Sequence, residues 1–277
     1  WGDKMKKLLI LVVVSLGVVT AALNPFSLQA GGNGILAKGY SSGFGSPSDL
    51  YGVLNSAFSS SFVELTTTAS PSSNERGLYV QLFEDSDDGM AGMLQYYMDI
   101  GKTSSIRSLS YMISGELGPL TAYGVDLQIN MSTATTTNYG VAIKGGITGK
   151  AYEILDYVVA FSSSIWNSGS SANSIDLLAG IRFVPDPFMI GLELGTREGL
   201  EIKYLGLSTQ YTYNNLFSAR AGVSMNADLL GNMDFLVGGG IEVRVGDMLI
   251  TSGIGTNLTN KIESISFERT WSVGLLG

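Results

Sequence analysis

With no histidine and no cysteine in 277 residues, this chain can do chemistry only through carboxylates, lysines, arginines and tyrosines. That removes Ser-His-Asp triads, imidazole general bases, thiolate zinc sites, cysteine nucleophiles and disulfides. The ionisable groups that remain are not grouped around a nucleophile or a metal constellation, so no enzyme, cofactor or bound metal is expected. They recur instead at alternate positions of apolar runs. Placed by that alternation, Asp99, Glu116, Asp126, Asp156, Asp176, Glu193, Glu201, Glu242 and Glu268 fall on the same side of their runs as Lys144, Arg182, Lys203, Arg220 and Arg244. Two readings stay open: a polar path for a solute, or a network of ion pairs that ties the protein's walls together. Acids outnumber bases on that side, so an open path would mildly favour cations.

Three short motif matches carry no chemistry. Gly32-x-Gly34-x-x-Ala37 follows no strand and opens no βαβ unit, as a dinucleotide fingerprint would. The acidic stretch Glu84–Gly89 lacks the Gly and distal Glu spacing of a calcium loop and reads as a solvated hairpin. Asn130-Met131-Ser132 lies mid-strand and is read as a chance sequon.

The elements that position these charges are strands. From Phe62 onward no helical period is sustained, whereas a two-residue period recurs. Tyr123, Val125, Leu127, Ile129 and Met131 form one face, and Gly124, Asp126, Gln128, Asn130 and Ser132 the other. Leu109, Tyr111 and Ile113 oppose Ser108, Ser110 and Ser114 in the same way. Such runs continue for about ten residues, the ~9–11 that a tilted strand needs to cross a bilayer rather than the ~5–6 of a soluble strand. Counting them gives strands near 62–70, 77–84, 90–100, 106–117, 121–132, 138–148, 152–163, 174–185, 188–197, 199–212, 217–227, 233–245, 247–258 and 261–275. The even total, fourteen with twelve as the alternative, suits an antiparallel transmembrane β-barrel. A change of phase around Gly206 suggests a bulge there, and Arg269 shares parity with Phe267, Trp271 and Val273, which places it near a rim or beyond a shifted register.

Composition agrees with a barrel whose exterior does not face water. Charged residues make up 14% and hydrophobic residues 45%, with 36 glycines, against ~25% charged in an ordinary soluble protein. The net charge of −8 argues against nucleic acid as a partner. Near the start, Lys6 and Lys7 precede an apolar run from Leu8 to Val19 and the small residues Thr20-Ala21-Ala22. This has the build of an export signal, too short to span a bilayer as a helix. Cleavage is expected after Ala21, with a cut after Ala30 as a second option; residues 1–4, ahead of Met5, are set aside. The expected organisation is a signal over 5–22, an N-terminal segment over 23–61 and a barrel over 62–277.

Gly31-Gly32-Asn33-Gly34, then a non-strand segment and Asn55-Ser56-Ala57-Phe58 leading into the first strand, resemble the long-chain fatty acid transporter (FadL) superfamily, most closely its PorV/PorQ-type branch. Gly199-Leu200-Glu201-Ile202-Lys203-Tyr204, Ala219-Arg220-Ala221-Gly222-Val223 and Gly238-Gly239-Gly240-Ile241 add to the likeness, which covers about residues 25–277. Two departures stand out. Ser56 occupies the place of the motif's Pro, and the chain ends in Leu275-Leu276-Gly277 rather than the terminal aromatic of such barrels, which leaves open whether the C-terminus is complete. The resemblance implies a fourteen-stranded barrel in a bacterial outer membrane, with residues 31–58 folded inside as a plug. It places Gly32, Gly34, Asn55, Ser56, Ala57 and Phe58 where plug meets wall. It also implies partners in the lipid bilayer and either small hydrophobic or amphipathic solutes or secreted proteins, and a monomer.

Overall fold

A computed structural model of the chain describes residues 38–39, 43–44, 46–52, 56–67, 74–84, 89–99, 105–133, 136–168, 175–197, 200–259, 261–262 and 265–276. A two-residue ladder, β1 (Lys38–Gly39) with β2 (Gly43–Phe44), and a 3-10 turn over Pro47–Gly52 precede the body of the protein. Fourteen antiparallel strands follow and close on themselves. They are β3 (Ala57–Thr67), β4 (Asn74–Glu84), β5 (Met90–Asp99), β6 (Ser105–Gly118), β7 (Thr121–Thr133), β8 (Thr137–Tyr152) and β9 (Leu155–Asn167), then β10 (Ile175–Phe183), β11 (Phe188–Arg197), β12 (Ile202–Tyr213), β13 (Phe217–Ala227), β14 (Met233–Val245), β15 (Met248–Asn257) and β16 (Ile265–Leu276). Each strand pairs with its sequence neighbours, and β16 closes the ring against β3 from Ile265↔Thr67 to Leu276↔Ala57. The closed ladder leaves no sheet edge in lipid, where an unpaired backbone group costs several kcal/mol.

Burial along these strands runs opposite to that of a soluble protein. On β6, Ser110 is 1% exposed while its neighbours Leu109 and Tyr111 are 45% and 51% exposed. On β7, Asp126 and Gln128 are buried while Val125, Leu127 and Ile129 face outward. A sandwich would press those apolar residues together. Here they form the outer wall of a single closed sheet, and the serines, glutamines and charged groups line its interior, which is the signature of a transmembrane β-barrel.

The two rims differ. The chain's entry into β3 and its exit from β16 share one rim with the tight connections Pro119-Leu120, Glu153-Ile154 and Gly246-Asp247. At that turn rim, in the three-residue link Asn214–Leu216, Asn214 and Asn215 take φ of 49° and 55°, a left-handed pair that asparagine tolerates, and Leu216 N donates to Tyr213 O at 2.9 Å. At the opposite, loop rim the connections are longer. There the Asp234 carboxylate accepts hydrogen bonds from Asn257 Nδ2 (2.8 Å), Thr259 Oγ1 (3.0 Å), Lys261 N (2.6 Å) and Ile262 N (3.1 Å), pinning the β15–β16 loop. In the β13–β14 loop the Asn232 side-chain amide, aided by backbone amides, holds the Asp228 carboxyl below its ordinary range.

Strand number and most boundaries follow the alternation read from sequence, with two corrections. The wall begins at Ala57 rather than at 62, because Ala57–Ser61 already pair with both β4 and β16. No bulge interrupts β12: its ladders to β11 and β13 run unbroken through Gly206. That continuity fixes the parity of the whole strand, so Ile202 and Tyr204 turn inward, and Lys203 lies exposed on the same side as Leu205 and Leu207. Lys203 is therefore not a lumen residue, and Glu201 sits in the preceding turn.

Candidate functional site

Inside the barrel near the turn rim sits the segment Ser46–Tyr51. Pro47 opens its 3-10 turn, where its preset φ is an advantage, and Asp49 N closes the turn on Ser46 O at 3.1 Å. Leu50 is fully buried and packs among Phe83, Ala91, Met93 and Met112, the inward residues of β4, β5 and β6. Complete burial of a leucine contributes about 1.5–3 kcal/mol, so this contact alone gives the turn a preferred depth.

The wall is shaped to receive the turn. Gly124 and Gly146 are directly paired across β7 and β8. A Cβ on Gly124 would fall on the Pro47 carbonyl and the Ser48 amide, and one on Gly146 would fall on Ser46 Oγ. Two adjacent missing side chains thus form a notch that lets backbone lie against backbone. Around it, Ser48 Oγ lies 2.7 Å from Thr148 Oγ1, and Ser114 Oγ donates to Ser48 O at 3.2 Å.

Charge fixes the turn's other side. Asp49 Oδ1 accepts from Arg182 Nη2 at 2.7 Å and from Thr148 Oγ1 at 3.1 Å, and both ion-paired side chains are wholly buried. Arg182 Nε also lies 3.9 Å from Asp156 Oδ2 on the neighbouring strand. Tyr51 OH donates to Glu116 at 3.4 Å. One carboxylate on the turn therefore links β8 to β10, spanning the strand β9 between them.

The charges expected inside from sequence are distributed as follows. Asp156 and Arg182 meet at the turn. Asp126 is buried and occupies the rung opposite Lys144. Glu193 is buried and accepts a hydrogen bond from Tyr204 OH. Arg220 and Glu242 form a separate pair at 3.6 Å. Asp176 stands on an inward position opposite Ser162, and Arg244, at the turn rim, donates through Nε to Gly246 O at 3.1 Å. Ala57 and Phe58 are the first residues of β3, with Ser56 just before them. Gly32, Gly34 and Asn55 lie outside the described residues, as does most of Glu84–Gly89. Among the described residues no three acidic side chains converge as metal ligands would.

Sequence reasoning did not single out Asp49, Leu50, Thr148 or the Gly124–Gly146 notch. A signal for the turn was available in Ser46-Pro47-Ser48-Asp49, a small polar residue followed by Pro at the first helical position. The notch had a fainter one: glycine on the inward parity of two adjoining strands.

No protein-family model matches the chain, and no curated protein matches it in sequence. Solved structures do match in shape. The CymD monoaromatic hydrocarbon channel aligns with a TM-score of 0.67 at 11% identity, covering 93% of this chain and 98% of that one. Its fold is shared with hydrocarbon channels. The toluene transporter TbuX of Ralstonia pickettii gives 0.67 at 10% identity over 91% and 98%, and the toluene transporter TodX of Pseudomonas putida 0.59 at 11% over 90% and 96%. At such identities the likeness concerns the path of the backbone: a fourteen-stranded barrel closed in the same way.

Proposed function

We propose that this barrel lies in the outer membrane of a diderm bacterium and passes small hydrophobic solutes through its lumen, with the seated turn closing the turn rim at rest. The observation that carries this reading is the Leu50 seat. In an interior lined largely by serine, glutamine and charged groups, Phe83, Ala91, Met93 and Met112 make an apolar pocket, and the side chain that fills it belongs to a separable segment. When the turn withdraws, the pocket becomes a site that water fills poorly and a small apolar molecule fills well. A pore for sugars or ions would gain nothing from it. The inward Tyr79–Tyr97 ring pair, centroids 4.5 Å apart, extends aromatic surface further along the lumen. The names of the structural neighbours suggest a monoaromatic hydrocarbon as the first solute to try.

In this reading residues 5–22 are a cleaved export signal, and the segment from 23 up to β3 is the plug of which Ser46–Gly52 is the seated part. The turn rim faces the periplasm, as short turns do in bacterial barrels. The protein acts as a monomer without cofactor and is not an enzyme. The finer likeness to the PorV/PorQ-type branch supports a different role, a sealed barrel that docks secreted proteins or braces the envelope, and flux separates the two. Liposomes carrying the purified protein should take up toluene faster than protein-free liposomes while excluding a sugar of similar mass. Toluene uptake no faster than in empty liposomes would reject transport and favour the docking or bracing role.

A further inference from the structure

The outward face carries charge where a lipid-facing wall should carry none, and that charge is arranged. Glu64 on β3 points outward and holds two arginines, Arg76 Nη2 on β4 at 3.5 Å and Arg269 Nη1 on β16 at 4.0 Å. The Arg269 guanidinium also lies 5.7 Å from the Phe267 ring and 5.5 Å from the Trp271 ring. Arg107 on β6 is exposed on the same outward parity as Leu109 and Tyr111, opposite Met98 of β5, which in turn faces Leu78 of β4. Among the described outward residues near this rim, three arginines thus stand against one glutamate across five adjacent strands, on a chain whose net charge is −8.

Position makes the patch meaningful. Arg76 and Arg269 lie one outward rung nearer the loop rim than Trp271, which packs on Phe62 with ring centroids 5.7 Å apart, and Arg107 stands on the same rung as Trp271. Aromatic residues of this kind mark the boundary between hydrocarbon and headgroups, so the guanidinium groups stand at headgroup level. Among the described outward strand residues the turn end offers instead an acid, Glu84. Arg76 and Arg269 keep 61% and 47% of their side chains exposed after pairing with Glu64, so donors remain for an outside acceptor. Glu64 and the two rings fix where those donors point.

We infer that Arg76 and Arg269, ordered by Glu64 and the Phe267 and Trp271 rings, together with Arg107 two strands further along the wall, form a binding surface for the phosphates of anionic lipid headgroups in the leaflet at the loop rim. Guanidinium forks suit phosphate oxygens through paired, charge-assisted hydrogen bonds. The surface continues the lipid-facing band, which already seats the lipid's chains. This inference requires that the barrel span a membrane but is independent of what passes through the lumen.

Trp271 reports on the patch directly. In the full chain carrying Trp1→Phe and Trp166→Phe, reconstituted in phosphatidylcholine vesicles, brominated phosphatidylglycerol should quench Trp271 more steeply than brominated phosphatidylcholine at equal mole fraction. The expected local enrichment is about five-fold, the factor that a single arginine near an anionic surface supplies. Arg76→Gln/Arg107→Gln/Arg269→Gln should abolish the preference while the barrel still migrates as a folded, heat-shifted band. If that variant fails to fold, salt provides the second readout: the preference should vanish toward ~1 M salt, where charge interactions reach only ~3 Å. A Trp271→Phe protein that retains Trp166, exposed on β9 away from these arginines, should show no preference. Equal quenching of Trp271 by the two lipids, a preference that survives the glutamines or ~1 M salt, or the same preference at Trp166 would each overturn the inference.

Discussion

Arg182→Ala should unseat the luminal turn and raise hydrocarbon uptake. The Asp49 carboxylate is wholly buried and has Arg182 as its charged partner at 2.7 Å. Removing one member of such a pair strands the other charge, at a cost of about 3–5 kcal/mol. That equals or exceeds what Leu50 contributes by burial, about 1.5–3 kcal/mol, and the neutral hydrogen bonds around Ser48 add only about 1 kcal/mol each. The cheapest relief is for Asp49 to leave the interior and carry the turn with it. The wall should survive, because Arg182 lies on a strand paired with β9 along its whole length and with β11 from Leu178 to Phe183. The double replacement Asp49→Asn/Arg182→Met removes both charges and should keep the turn seated, since a buried pair exchanged for well-packed neutral groups costs little. Uptake rates in liposomes, read beside the reactivity of a Ser48→Cys thiol toward a maleimide, check both outcomes. A single variant with unchanged uptake and a shielded thiol would mean that Arg182 does not hold the turn.

Gly124→Val should have an effect of similar size through shape alone. The added Cβ meets Pro47 and Ser48 backbone, which cannot rotate out of the way as a side chain would. Overpacking a tight contact costs about 1–3 kcal/mol, and here the softer partner is the turn rather than the barrel ladder. The turn should be displaced, uptake should rise, and strand pairing should be unaffected by the criterion of heat-shifted migration. Gly118→Ala is the matched control, because a Cβ there meets open space. Equal behaviour of the two variants would show that the glycine notch plays no part in seating the turn.

Much of the wall was legible in sequence because a membrane barrel imposes one rule on every strand. Tyr123, Val125, Leu127, Ile129 and Met131 alternate with small and polar residues because outside is hydrocarbon and inside is not, and a one-residue slip would exchange the two faces. Lys203 was misplaced for a local reason. Near the loop rim the polarity of β12 is inverted, with Ile202 and Tyr204 buried inward and Lys203 exposed outward, so alternation points the wrong way there and only the ladder to β11 and β13 fixes which side is inside. The sequence left Arg269 either near a rim or beyond a shifted register; in the ladder it faces outward opposite Glu64, toward the loop end of β16. Its relief comes from Glu64 and two rings on neighbouring positions, a cross-strand arrangement that spacing along one strand does not reveal. The luminal turn was the least legible part. Asp49 and Arg182 are 133 residues apart in the chain, and nothing periodic connects a short irregular segment to the wall it rests on.

Because the chain has no native cysteine, the central claim can be tested with one engineered pair. The Ser48 and Thr148 hydroxyls are 2.7 Å apart, so thiols in their places are within disulfide reach. In Ser48→Cys/Thr148→Cys protein reconstituted in liposomes, oxidation should tie the turn to β8 and reduce toluene uptake to the protein-free rate, and a reductant should restore it. Uptake that proceeds equally fast in the oxidised and reduced states would contradict passage gated by this turn.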